Sequence, residues 1–124
     1  MSLTKAGKND FCMWIIQMLI ENKVVIEAAN ALILIDVDGY VDQNEALKAA
    51  YIAEIGKGSA LNQAKLKQTK VANAKLKAFY IASSTSADSI CAHLGAGHEL
   101  THLIRQKRDS MSNVANHGKR EDKS

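Results

Sequence analysis

His98-Glu99-Leu100-Thr101-His102 is the stretch of this chain with the most chemistry in it. On a helix, His98 and His102 stand one turn apart and share a face, where two imidazoles can reach one zinc ion. Glu99, on the neighbouring row, is placed to polarise a zinc-bound water as general base, so the chemistry on offer is metal-assisted hydrolysis. A catalytic zinc needs a third protein ligand. Glu121 or Asp122 stands at a compatible sequence distance and His117 at a shorter one, all in the polar C-terminal stretch. Gly95 and Gly97, just before the motif, weaken the helix that has to hold it. The competing reading is two partly exposed histidines on the last helix, with Glu99 paired to a nearby base. A motif this short also arises readily by chance.

Oxygen ligands gather in a second place. Asp36, Asp38, Asp42 and Glu45 alternate around Gly39 in a segment read as a loop between two helices. Hard cations such as Ca2+ or Mg2+ are held by carboxylates on a backbone that curls around them, and a glycine permits the curl. With Glu45 at the last position of an EF-hand loop, Leu34 falls where the first ligand belongs; starting at Asp36 instead requires a two-residue deletion. The same residues have a purely structural reading, with Asp42 as N-cap and Glu45 three residues on closing a capping box. Gly39 then serves the turn, and Asp36 and Asp38 are solvated.

Charge is segregated along the chain. Residues 21–54 hold seven acids against two lysines, and residues 55–87 hold six lysines and no acid, although the whole chain is only +3. Lys65, Lys67, Lys70, Lys75 and Lys77 follow one another along a single expected helix. Spread lysines suit nonspecific contact with nucleic-acid phosphates or an anionic membrane surface. No arginine accompanies them, and the bland reading is a solvated face that complements the acidic half.

The elements that must position these groups are helices. The 124 residues contain no proline, 47% are hydrophobic and 23% charged, which is globular composition without the strongest helix breaker. Phe11, Trp14, Ile15, Met18 and Leu19 fall at i, i+3, i+4, i+7 and i+8 behind a cap at Asn9 or Asp10. Cys12, Met13, Ile16 and Ile20 widen that stripe nearly all round. A second apolar helix is expected from Val24 to Ile35, and a third over residues 45–55 stopping at Gly56. A fourth runs from a Ser59 cap toward Tyr80. Residues 83–89, Ser-Ser-Thr-Ser-Ala-Asp-Ser, break the pattern, and Thr85 with Asp88 then caps a fifth helix that carries His98 and frays past Lys107. Residues 31–37 and 78–84 are short apolar runs that periodicity alone leaves open as strands. Cys12 and Cys91 sit inside apolar segments and read as buried, reduced thiols. The apolar run 11–20 is too short to span a bilayer and lacks a cleavage site, which points to a cytoplasmic protein.

Two resemblances add to this. Ala28 to Gly56 reads as an apolar helix, then Asp38-Gly39-x-Val41-Asp42-x-x-Glu45, then an alanine-rich helix, and so resembles the tellurite-resistance TerB-like domain. The resemblance implies an all-helical fold and a divalent-metal site at Asp38, Gly39, Asp42 and Glu45, with Asp36 as an extra ligand. It also implies a role in stress responses and in multiprotein complexes near the membrane. No second Asp-Gly pair follows Gly56. Residues 98–102 are similar to the zinc-binding motif of the thermolysin-like metallopeptidases, which also often carry Leu and Thr inside it.

The expectation is therefore an all-α, compact bundle of about five helices built on an apolar helical hairpin at residues 11–35. One domain covers 9–108, with a flexible N-terminus 1–8 and a mobile polar tail 109–124. Its expected role is binding or regulation, with another protein as partner and a divalent cation at 36–45. The alternatives are a minimal zinc peptidase using His98, Glu99 and His102, and a nucleic-acid or anionic-surface binder using the lysine-rich helix 65–77.

Overall fold

The computed structural model describes residues 5–57 and 62–115, and side chains within 7–57 and 69–110. These residues form an all-α bundle: α1 (Lys5–Glu21), α2 (Lys23–Ala29), α3 (Val37–Gly56), α4 (Asn62–Leu94) and α5 (Glu99–Ala115). No strand occurs among the described residues, so both apolar runs left open as strands resolve otherwise. No described helix is long and apolar enough to cross a membrane.

α1 is the central helix, in contact with α3, α4 and α5. Its nearly all-round apolar surface is spent on two clusters. Phe11, Ile15, Met18 and Leu19 pack with Ile26, Val37, Ile90 and Ile104. Cys12 and Ile16, on the adjoining face, pack with Leu76 and Phe79 of α4. Each such side chain, fully covered, contributes roughly 1.5–3 kcal/mol, which is why a helix with two apolar faces settles in the middle.

Helix boundaries differ from expectation at both ends of the chain and within it. α1 is already helical at Lys5, so Asn9 and Asp10, expected to cap it, lie inside it, and α5 continues past Lys107 to Ala115. α2 ends at Ala29, and residues 30–36 are a turn rather than helix, with Ile33 N–H donating to the Asn30 carbonyl at 3.1 Å. α3 begins at Val37, so the segment read as a cation loop is the first two turns of a helix. Its cap is Asp36, whose Oδ1 accepts the Gly39 N–H at 2.9 Å. The capping box expected at Asp42 and Glu45 is therefore misplaced by six residues. A Cβ at Gly39 would collide with the Asp36 carboxylate, so the glycine is what lets the cap close over the first turn.

α4 runs without interruption through the serine-rich stretch. Serines interrupt helices when their hydroxyls compete for local backbone groups. Here Ser83 donates to Asn44 Oδ1 at 2.9 Å, and Ser86 donates to the Ala82 carbonyl at 2.9 Å while accepting from Asn44 Nδ2 at 2.9 Å. Asn44 Nδ2 also donates to the Tyr40 carbonyl at 2.7 Å. Two of the hydroxyls, those of Ser83 and Ser86, are thus committed to a buried seam between α3 and α4, while Ser84 Oγ is buried without a partner among the described residues. The break falls instead at Gly95, whose φ of 92° ends α4 in a conformation open to glycine.

Candidate functional site

The break at Gly95 decides what happens to the histidine motif. His98 lies just outside α5, and its ring Nδ1 accepts the Leu100 N–H at 3.0 Å. It does the work of an N-cap, a task that usually falls to Ser, Thr, Asp or Asn. Thr101, inside the motif, is buried and donates to the Gly95 carbonyl at 2.7 Å, tying the new helix to the end of the old one. Glu99 and His102 are exposed. His117, Glu121 and Asp122 lie outside the described residues. Among the described residues, no group of three or more His, Cys, Asp or Glu side chains is arranged to hold a metal ion.

The acidic segment is likewise given to helix chemistry. Asp36 is the cap. Asp38 pairs with Lys23 of α2 at 2.8 Å, both side chains substantially exposed. The hydrogen bond from Lys23 to Asp38, helped by the charge of that carboxylate, holds the lysine above its ordinary pKa. Glu45 lies 4.0 Å from Lys48, and Asp42 is exposed. Asp38, Asp42 and Glu45 fall at i, i+4 and i+7, along one stripe of α3 one turn apart, and Asp36 stands before the helix.

Of the lysine row, Lys70, Lys75 and Lys77 are exposed on α4, whereas Lys65 and Lys67 lie outside the described side chains. Helical geometry puts Lys70 and Lys77 on one face and Lys75 well away from it. Lys77 borders a cleft of ≈ 260 Å³ with Lys8, Asn73 and Leu76.

The most unusual surface is one that the motifs did not point to. In the turn after α2, Leu32 is 96% exposed and Leu34 98%, with Ile33 between them also exposed. Val24 at 76% and Val25 continue the apolar surface along α2, of which Ile26 alone is buried. Asp36, Asp38, Glu27 and Glu21 flank this knob against Lys23. Residues 24–35 read as a buried helix because nothing in an all-apolar run says which side faces water. The signal available was the polar pair Glu27 and Asn30, which leaves α2 without a clean inward stripe.

A second feature lies between the end of α4 and α5. There a half-open cleft of ≈ 420 Å³ has Ala92, Gly95, Ala96 and Ile104 as apolar walls and Arg105 and Arg108 at its side. The Arg108 guanidinium lies 5.2 Å from the centre of the Phe11 ring, and its Nη1 reaches Asp88 Oδ1 at a long 3.4 Å. Arg108 Nε and Nη2 are shut off from solvent and have no hydrogen-bond partner among the described residues. Cys91 also borders this cleft. Burial raises its thiol pKa more than the two arginines lower it, so it is not an activated nucleophile.

No family model, curated protein or solved structure matches the chain.

Proposed function

We propose that this chain is a helical docking module that binds another protein through the apolar knob formed by residues 30–35 and the outer face of α2. The observation that carries the reading is the near-complete exposure of Leu32 (96%) and Leu34 (98%), where the other exposed leucines and isoleucines among the described residues stay at 43–57%. Contiguous apolar surface of this kind is costly in water and marks sites that are covered in use. Each of these leucines gains about 2 kcal/mol when covered. The acidic flank makes a protein with a basic rim the favoured partner, because carboxylates beside an apolar knob are repelled by an anionic lipid surface. A role within a multiprotein complex, of the kind the TerB-like resemblance implies, fits a docking module and does not require a bound cation.

The test is site-specific photo-crosslinking in cells that make the protein. A benzoylphenylalanine replacing Leu34 is expected to give one discrete adduct, and the same probe replacing Gln43, exposed on α3, is expected to give none. Equal labelling from both positions, or none from either, would sink the reading.

A further inference from the structure

We infer that the partner is a second copy of this chain, with the knob of each copy seated in the α4–α5 cleft of the other. The inference rests on the docking reading above and supplies its occupant. Knob and cleft are complementary in chemistry. The knob offers two exposed leucines followed at once by Asp36, whose Oδ1 is used by the Gly39 N–H while Oδ2 is uncommitted among the described residues. The cleft offers ≈ 420 Å³ walled by Ala92, Gly95, Ala96 and Ile104, with Arg105 and Arg108 beside it. Small side chains on three of four walls leave room for a branched one to enter.

The charges match in sign as well. The flank of the knob carries Glu21, Glu27, Asp36 and Asp38 against Lys23, and the cleft carries two arginines against Asp88. Arg108 holds Asp88 only through a long ion pair, and its side chain is 36% exposed, which leaves the guanidinium open to a second carboxylate. A carboxylate arriving with the knob is the acceptor that a guanidinium fork fits best. Arg105 is exposed and free to follow.

Placement then favours a closed pair over an open chain. α2 leans on the last turns of α4, where His93 Nε2 lies 2.9 Å from the Ile26 carbonyl. The same end of α4 forms one wall of the cleft. Knob and cleft therefore flank one end of the bundle, and a two-fold axis there lets both insertions form at once. Such an isologous contact closes as a dimer.

The experiment is sedimentation equilibrium on the full chain, with Leu34→Asp disabling the knob and Arg105→Glu the cleft. Both positions are exposed, and circular dichroism confirms that each variant is folded. The wild-type chain is expected at the mass of two chains, and each variant at least tenfold weaker in self-association. An equimolar mixture of the two variants is expected to associate more strongly than either alone, because the mixed pair keeps one intact knob in one intact cleft. A wild-type chain that stays at single-chain mass at its highest soluble concentration overturns the inference. So does a dimer lost in Leu34→Asp but untouched by Arg105→Glu, or a mixture no better than its components. Failure of the docking reading looks different. A single-chain mass together with a discrete crosslink from position 34 to a different protein removes only the second copy. A single-chain mass without any crosslink removes both.

Discussion

The α3–α4 seam and the 30–36 turn break the rule of apolar inside and polar outside in opposite directions. At the seam, Asn44, Ser83 and Ser86 are fully buried, and at the turn Leu32 and Leu34 are almost fully in water. The seam resolves its violation within the chain. Asn44 uses its amide nitrogen twice and its oxygen once, and each serine has a partner. A satisfied polar network in a core fixes which residue faces which, because sliding one helix by a residue would strand every donor. The turn has no such internal solution, since no part of the described chain covers the two leucines. A buried polar group with all its bonds made is therefore evidence about the fold, and an exposed apolar group without a cover is evidence about what the protein meets.

The sharpest way to break the comparison is to mutate both sides. Asn44→Ala leaves the Ser83 and Ser86 hydroxyls short of partners in a dry seam, and is expected to cost about 2–4 kcal/mol of unfolding free energy. Leu32→Ser with Leu34→Ser is expected to change stability by no more than about 0.5 kcal/mol, because neither side chain is buried in the isolated chain. Urea unfolding of the two variants at a concentration too low for association measures both. If the leucine pair costs as much as Asn44, the turn packs against something within the chain and the docking reading loses its basis.

What could be read beforehand divides along the same line. The central helix was legible because Phe11, Ile15, Met18 and Leu19 repeat at helical spacing, and a repeat of that kind depends on neighbours in sequence alone. The end of α3 at Gly56 was legible from the glycine, a residue that weakens helices, and so again from local sequence. The serine-rich stretch was misread as a break because serine hydroxyls compete for local backbone. Ser86 does bond the Ala82 carbonyl, but the helix holds because Ser83 and Ser86 also engage Asn44, 39 and 42 residues away. The Leu32 to Leu34 turn was misread as a buried helix because an unbroken apolar run carries no direction. Capping residues fared in between. Asp42 was the expected cap and Asp36 holds that position instead, because which carboxylate caps the helix depends on where the turn ends, and the turn ends where Val37 enters the core.

A smaller effect sharpens the seam itself. Cys12 borders it, and burial pushes its thiol from 9.0 up to about 11, with a hydrogen bond to Ser83 pulling the other way. The folded state thus keeps its proton where the unfolded chain has already released it. Stability from this group is complete below pH 9.0, falls between 9.0 and about 11, and levels off above that window. The expected loss is on the order of 2 kcal/mol, the equivalent of a shift of that size. Cys12→Ala is expected to flatten this part of the stability profile relative to the wild-type chain. A profile that keeps the same slope in the variant would show that the thiol is not what titrates.

The smallest effect concerns Asp36, where a cap and a cation ligand make opposite demands. A serine hydroxyl accepts from the first turn of a helix about as well as a carboxylate does, so Asp36→Ser is expected to leave stability nearly unchanged, while Asp36→Ala costs about 1 kcal/mol. For a calcium or magnesium ligand the order differs, since a neutral hydroxyl replaces a carboxylate badly and the serine variant would lose binding along with the alanine one. Asp38, Asp42 and Glu45 step along α3 one turn apart, so successive Cβ atoms stand about 5–6 Å apart and the outer two about 10 Å. An ion held at 2.3–2.6 Å from each oxygen, as calcium is, needs ligands that converge. Millimolar Ca2+ or Mg2+ is accordingly expected to raise the unfolding temperature no more than sodium chloride of the same ionic strength. A specific rise that disappears in both Glu45→Ala and Asp36→Ser would restore the carboxylates as ligands, because a cap alone has no way to make serine behave like alanine.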